Sequence, residues 1–375
     1  MASATDWARA IGTTITNYLK TEEIATMRKF RVFAALEGSG NVLTNQSGRG
    51  FSWEVRFRNQ PVSGNNGETP RTFARQNLWK TARLDYRGYQ VSDMILRREM
   101  LENRGQQALI NVAGKMASRL QESMEQHLAK EVYCNGDLVG NELRFQGLDS
   151  MFGFDGTINI LDGKRRATAS AADPFCWAKD SYAGLSTELG AEAGSQLEAG
   201  SWPTAGCDPE YDYYSPVIVN YASTFFKGKT PVWSEQCVEA VREGIHQTKR
   251  NDSKESAIDL VMLDRRMFID YMNRLDVKER VIVTKQNGLK SYGFTDVFEQ
   301  DGCEISTEYA VPSGCGYGLS IGNTYLHCME GQLITAEGPY YSETNQAYRY
   351  IASVLANMRF VSPRNFFKLV DAKGV

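Results

Sequence analysis

The sequence predicts an α+β fold, and three patterns along the chain support that class. A basic stretch at residues 49–91 alternates between apolar and polar side chains, as a β-hairpin with one wet face does. Residues 94–132 carry an apolar stripe at helical spacing. Beyond residue 216, short apolar segments alternate with amphipathic ones, which indicates strands interleaved with helices.

The N-terminal residues 4–36 predict two helices that precede the hairpin. Trp7, Ile11 and Ile15 recur every four residues, which places them on one helical face. Thr21 is suited to cap the second helix, because its hydroxyl can accept a hydrogen bond from a free backbone amide.

The hairpin is the most informative element. Apolar and polar residues alternate strictly along its first arm, and its return arm is predicted at residues 82–91, after a tip at residues 59–72 rich in Asn, Gly and Pro. The apolar positions of the first arm are Phe51, Trp53, Val55 and Phe57. An isolated two-stranded hairpin is marginal in water. We therefore expect this apolar face to lie on other protein, in particular on another copy of the chain.

Charge sets the hairpin apart from the rest of the protein. Residues 49–91 hold seven Arg and one Lys against three acidic residues, a net charge of +5, whereas the whole chain has a net charge of −3. The arginines expected to set the register of a contact between copies are Arg56, Arg58, Arg71 and Arg75. Their candidate partners on the long helix are Glu122, Glu125 and Glu131. A nucleic-acid-binding arm is the alternative, but an apolar face has no role in holding phosphates.

The long helix is expected to bend or break at Gly105. Residues 155–215 have few periodic apolar positions and are interpreted as long surface loops within the following domain. Residues 316–329 predict a hairpin, and Ala347–Val361 predicts a long strand close to the C-terminus.

No motif in the chain predicts catalysis or a cofactor. Gly318–Gly322 matches G-x-S-x-G around Ser320, yet an esterase nucleophile elbow needs a helix after it, and here turn and strand residues follow. His327 and Cys328 could join Cys303 and Cys315 around a zinc ion, but the spacing is irregular and ordinary buried thiols are the simpler interpretation. The expected protein is thus not an enzyme.

Cysteine use and hydropathy predict the compartment. The seven Cys are scattered and odd in number, which suits free thiols in a reducing cytoplasm. No apolar run approaches the roughly 18 residues of a membrane-spanning helix. We expect a protein without membrane contact that is made and retained in the cytosol.

The order of these parts resembles the major capsid proteins of tailed double-stranded DNA bacteriophages, which have the HK97 fold. The hairpin from Gly50 to Val91 resembles the E-loop of that family, residues 94–133 its spine helix, and residues 234–275 the core of its A-domain. Residues 348–369, which carry Pro363, Phe366 and Phe367 near their end, are similar to its returning P-domain strand. The resemblance covers most of the chain and rests on order and pattern.

The resemblance implies a division of the chain and a function. The implied parts are an N-arm (1–48), an E-loop (49–92), a P-domain with spine helix (93–144), an A-domain with an insertion at about 155–215 (145–335), and returning P-domain strands (336–375). The implied function is self-assembly into pentamers and hexamers of an icosahedral shell that encloses double-stranded DNA. Implied partners are a separate scaffolding protein, a portal, a possible decoration protein, and packaged DNA held without sequence specificity; the implied location is the virion, assembled in the host bacterial cytoplasm.

Two departures and two alternatives accompany that resemblance. Some family members join subunits through a Lys near the hairpin tip, but residues 59–72 contain no Lys, so no covalent links are expected. Other members carry a long helical scaffolding segment before the N-arm, whereas this sequence begins almost at the arm, so a separate scaffolding protein, or none, is expected. An encapsulin-like compartment shell is the closest alternative, and a serine hydrolase that uses Ser320 is a more distant one.

Overall fold

The computed structural model describes residues 29–56, 77–102, 106–152, 175–177, 180–187, 214–226, 230–249, 258–275 and 297–371, together with residues 13, 67, 289 and 294. The helices of these residues are α1 (Arg31–Gly38), α2 (Arg97–Glu102), α3 (Gln106–Glu131), α4 (Leu148–Phe152), α5 (Trp233–Gln247) and α6 (Arg265–Arg274). The strands are β1 (Val42–Gln46), β2 (Gly50–Arg56), β3 (Trp79–Asp85), β4 (Arg87–Leu96), β5 (Phe175–Trp177), β6 (Ser181–Tyr182), β7 (Leu185–Ser186), β8 (Val217–Asn220), β9 (Leu260–Leu263), β10 (Phe298–Gln300), β11 (Cys303–Thr307), β12 (Gly316–Leu319), β13 (Thr324–Met329), β14 (Thr335–Ser342), β15 (Ala347–Phe360) and β16 (Phe367–Val370).

Strand β15 organises the first sheet. It pairs antiparallel with β4 from Ala347 to Ala356, with β14 along its first half, and with β13 over its last residues. Strand β1 then adds to β13 in parallel. The predicted long strand near the C-terminus is therefore confirmed, and its buried positions alternate with partly exposed ones along much of its length.

The second sheet has the order β10-β11-β9-β12-β16-β8-β5, and its strands β8, β9, β12 and β16 are buried on both faces. Val261 and Leu263 of β9 face a core cluster with helices α5 and α6, whereas Leu260 and Met262 face the main core. Side chains of a strand alternate between the two faces of its sheet. A strand covered on both sides must be apolar throughout, which explains why the sequence here shows continuous apolar runs.

The long helix predicted at residues 94–132 is represented in the described residues by helices α2 and α3. The bend or break expected at Gly105 lies outside the described residues. Helix α3 spans 26 residues, or roughly 39 Å at 1.5 Å per residue. Its buried stripe is Met116, Leu120, Met124 and Leu128. No helix in the described part of the chain combines the length and the apolarity that crossing a bilayer requires.

Two predicted connections are wrong. The return arm expected at residues 82–91 is two strands, because β3 pairs with β2 whereas β4 leaves the hairpin at Tyr86 and joins β15. The hairpin expected at residues 316–329 is also two strands of different sheets: β12 pairs with β9 and β16, and β13 pairs with β1 and β15. A 3-10 turn, Ile321–Asn323, connects them.

Candidate functional site

The hairpin formed by β2 and β3 is the candidate functional site. Its register pairs Gly50 with Asp85 at the root and Arg56 with Trp79 at the outer end of the described part. One face carries the apolar positions, and the other face carries polar residues together with Trp79, which is 51% exposed. We call the part at β2 and β3 the arm root.

The apolar face of the arm root is covered by the same chain. Trp53 and Val55 are buried, and the indole Nε1 of Trp53 donates to the carbonyl of Val361 over 3.0 Å. The ring of Phe51 stacks on His327 with 4.1 Å between centroids. The expectation that a second copy must cover this face is therefore wrong for Trp53 and Val55, because the end of β15 and neighbouring residues already cover them.

The opposite face of the arm root is open and carries both arginines and the acidic residues Glu54 and Asp85. Arg49 and Arg83 are largely exposed and lie on either side of Asp85, with Nε–Oδ distances of 3.7 and 3.5 Å. Arg56 is also exposed and pairs across the strands with Trp79. The remaining predicted contact residues, Phe57, Arg58, Arg71 and Arg75, lie outside the described residues.

The three candidate acidic partners on α3 differ in their surroundings. Glu122 is exposed and lines a groove of about 450 Å³ between α3 and the residues before α1. Glu125 is buried, and Lys29 places its Nζ 3.0 Å from a carboxylate oxygen. Of these, Glu122 alone is exposed to a partner.

Glu131 is fully buried and fully engaged within the subunit. Arg144 donates to its carboxylate over 2.7 Å through Nη2 and 3.0 Å through Nε, and the hydroxyl of Tyr89 donates to it as well. Burial, followed by the bond to Glu131, raises the pKa of Tyr89. The expectation that Glu125 and Glu131 serve arginines of another copy is therefore wrong in the described chain, because Lys29 and Arg144 already neutralise them.

The residues considered for catalysis or metal binding do not form such sites. Leu319 and Ser320 lead into a 3-10 turn and then strand β13, so the helix of a nucleophile elbow is absent from this described segment. The Oγ of Ser320, which is buried, accepts a hydrogen bond from Asn323 over 2.8 Å. Among the described residues, no three His, Cys, Asp or Glu side chains group as metal ligands.

Two buried polar clusters escaped the sequence reasoning. Lys368 and Asp149 are both fully buried, and their Nζ and Oδ1 atoms lie 2.6 Å apart, while Tyr317 donates to the same oxygen over 3.0 Å. Glu308 accepts hydrogen bonds from the backbone amide of Arg31 and from the hydroxyl of Tyr133. Burial raises the pKa of Glu308 to about 7. In the sequence, Lys368 and Glu308 are single charged residues next to apolar strands. A single charged residue does not reveal which distant residue it pairs with.

Comparison with known proteins identifies the fold. No protein-family model matches the sequence, and no curated protein matches it. The structure is similar to the capsid of cyanophage A-1(L), with 12% identity, a TM-score of 0.57, and coverage of 91% of this chain and 93% of that chain. It is also similar to the capsids of native and empty GTA particles, each with 10% identity, a TM-score of 0.51, and coverage of 90% of this chain and 89% of that chain. The predicted HK97-like α+β fold is thereby confirmed.

Proposed function

We propose that the chain is the major capsid protein of a tailed double-stranded DNA bacteriophage. In this proposal, copies join as pentamers and hexamers and close an icosahedral shell around the genome. The carrying observation is that a capsid chain shares the fold over nine-tenths of both chains. The net charge of +5 over residues 49–91, in a chain with net charge −3, supports contact between copies, because opposite charges steer and orient association.

The packing of the arm root supports one face as the proposed contact surface. Its apolar face packs within the subunit, which leaves the opposite face, where Trp79 and Arg56 lie side by side. Trp and Arg are the residue types that most often carry binding energy at interfaces. Arg58, Arg71 and Arg75 extend the positive charge along the arm. Glu122, exposed in its groove on α3, is the acidic partner that we retain.

Assembly of the proposed shell involves further partners. Closed shells need heterologous contacts that meet at fixed angles, and a separate scaffolding protein is the expected means of setting them. A portal and a possible decoration protein complete the set, and packaged DNA contacts the inner face without sequence specificity. The expected location is the virion, after assembly in the host bacterial cytoplasm. The proposed division into N-arm, E-loop, P-domain and A-domain follows the boundaries given above.

Electron microscopy of the purified protein tests the proposal. Uniform shells, or rings of five and six copies, are expected. A population of small particles that never forms rings or shells, with or without coexpressed neighbouring phage proteins, would contradict the capsid function.

Charge reversal on the arm tests its role in that assembly. Arg56→Glu combined with Arg58→Glu should leave the subunit soluble and reduce the yield of shells, because like charges would then face the acidic partner surface. The matched control is Arg265→Glu with Arg266→Glu, the same change on two exposed adjacent residues of α6. Normal shells from the arm variant would refute the role of these arginines, and equal loss in both variants would assign the effect to net charge alone.

A further inference from the structure

We propose that the short hairpin of β6 and β7 is a clasp that fixes the arm root to strand β15, with Tyr182 as its positioning residue. The clasp comprises residues 180–187, within the region that the sequence predicted as a loop insertion. The proposal gives part of that insertion a role, and its importance for assembly rests on the proposed capsid function.

The clasp binds the arm root on one side. The carbonyl of Ala183 accepts a hydrogen bond from the amide of Arg83 over 3.1 Å, on the edge of β3 that faces away from β2. The ring of Tyr182 lies 6.3 Å from that of Trp53, centroid to centroid. An exposed strand edge would otherwise present free amides to solvent.

The same tyrosine binds the end of β15 on the other side. Its hydroxyl accepts a hydrogen bond from the amide of Phe360 over 3.1 Å and donates to the carbonyl of Met358 over 3.4 Å. Its ring also packs against Phe360 with 5.9 Å between centroids. Tyr182 is fully buried, so the arm and the sheet meet through a side chain that water does not reach.

The backbone of the clasp is held in an unusual shape. Ala183 and Gly184 have φ angles of 53° and 80°, as a two-residue turn between β6 and β7 requires. Positive φ is unfavourable for alanine and persists where surrounding contacts fix it. Here Tyr214 donates to the carbonyl of Tyr182 over 2.9 Å, and Thr187 and Asp180 are hydrogen-bonded to each other at the base. The strained residue is the one whose carbonyl holds the arm.

The clasp and Trp53 together make the arm root part of the subunit body. Trp53 donates to Val361, one residue beyond β15, while Tyr182 engages Met358 and Phe360 within it. The contacts of Trp53 and of Tyr182 therefore lie at the same end of β15. The arm root is consequently expected to move together with β15.

Hydrogen exchange on the unassembled chain tests the clasp. Tyr182→Phe keeps the ring and removes the hydroxyl, so local opening of the arm root should become easier and amide exchange in residues 50–56 and 79–85 about tenfold faster. Tyr221→Phe is the matched control, because it also removes one buried hydroxyl that donates to a carbonyl, that of Gly314 at 3.1 Å. The control should leave exchange of the arm root unchanged.

Two outcomes would overturn the proposal: unchanged exchange of the arm root in Tyr182→Phe, or equal acceleration in both variants. Should Tyr182→Phe fail to fold, Tyr214→Phe removes one bond from the back of the clasp and is assessed by the same readout, with a smaller acceleration expected.

Assembly is the second readout and separates this inference from the capsid proposal. If wild-type protein forms shells, Tyr182→Phe should reduce their yield more than Tyr221→Phe does at equal thermal stability. Faster exchange of the arm root with undiminished shell yield would overturn the positioning role. Failure of the wild type to assemble would refute the capsid proposal while leaving the exchange result valid.

Discussion

His327 is a buried histidine without a hydrogen-bond partner for either ring nitrogen among the described residues. Its ring stacks on Phe51 of the arm root, and the guanidinium of Arg359 lies nearby. Burial, with a smaller contribution from Arg359, lowers the pKa of His327 to about 4. The imidazole therefore acts as a flat apolar surface that holds the arm root while it stays neutral.

The first prediction concerns acid sensitivity. Between pH 6.5 and about 4 the unfolded chain binds a proton at His327 that the folded chain does not, so stability is lost as pH falls through that window. The loss amounts to at most about 3 kcal/mol. His327→Phe keeps the stack and should reduce this loss, as measured by urea unfolding at pH 7 and pH 4.5. His246→Gln, on a half-exposed ring, is the control and should retain the wild-type slope.

Glu308 changes the stability with pH in the opposite direction to His327. Its folded pKa of about 7 lies above the ordinary value of 4.5, so the folded chain holds the extra proton between those values. This contribution is present below pH 4.5 and is lost as pH rises through 7, by at most about 3 kcal/mol. Glu308→Gln, which stays neutral, should therefore gain stability relative to wild type between pH 5 and pH 8 in urea unfolding. No such gain, or the same gain in the exposed Glu337→Gln, would contradict the assignment.

At the scale of elements, close packing accounts for one of the two glycines of the G-x-S-x-G segment. The ring of Phe367 on β16 lies against Gly318 on β12 and Gly244 on α5, and a Cβ added at Gly318 would lie 2.1 Å from a ring carbon. Strand and helix approach Phe367 closely only because neither residue has a side chain. Packing therefore requires glycine at position 318 but not at position 322, where an added Cβ would meet nothing within 4 Å.

That difference gives a matched pair of variants. Gly318→Ala should destabilise the fold by at least about 1–3 kcal/mol, because a buried ring must move or the sheet must shift. Gly322→Ala should change stability little. Adding Phe367→Leu to Gly318→Ala should cost less than the two single changes summed, since the smaller side chain relieves the overlap. Chemical denaturation of the four variants measures the coupling, and strict additivity would contradict the proposed contact.

Sequence periodicity predicted which residues share a face but not what covers that face. Alternation correctly places Trp53 and Val55 on one side of the arm, yet their cover comes from residues around 180 and 360. Likewise, the apolar pattern locates β12 and β13, but both a hairpin and a crossing between two sheets fit the same pattern. Lys368 and Asp149 are 219 positions apart, so only folding reveals their pairing. Patterns within a segment are local, whereas these contacts are set by the topology.

At the scale of the whole molecule, the two sheets share one main core, to which β4, β13 and β15 contribute from one sheet and β9 and β12 from the other. The order hairpin, long helix, helix–strand–helix and returning strand was enough to predict the fold. The apolar face of the arm root packs within the subunit, so the face proposed for contact with other copies is the exposed one. Sequence alternation alone does not show whether an amphipathic strand packs on its own subunit or on a neighbour.

The composition of the arm tip predicts how copies are held together. Residues 59–72 contain no Lys, and the nearest one, Lys80, is in the described part of β3. An amide link between subunits through a tip amine is therefore not expected. Purified particles boiled in detergent should migrate as a single species of 42.0 kDa. A ladder of higher-mass bands that survives reduction would contradict this prediction.

Strand β15 has a mechanical consequence. It spans 14 residues, about 48 Å at 3.4 Å per residue, and is bonded along both edges to antiparallel neighbours. Tension applied along such a strand loads its hydrogen bonds in shear, so many must break together instead of one after another. The arm root and the clasp attach near one end of this strand, at residues 358–361. Whatever component of a pull on the arm acts along β15 is therefore resisted by many hydrogen bonds at once.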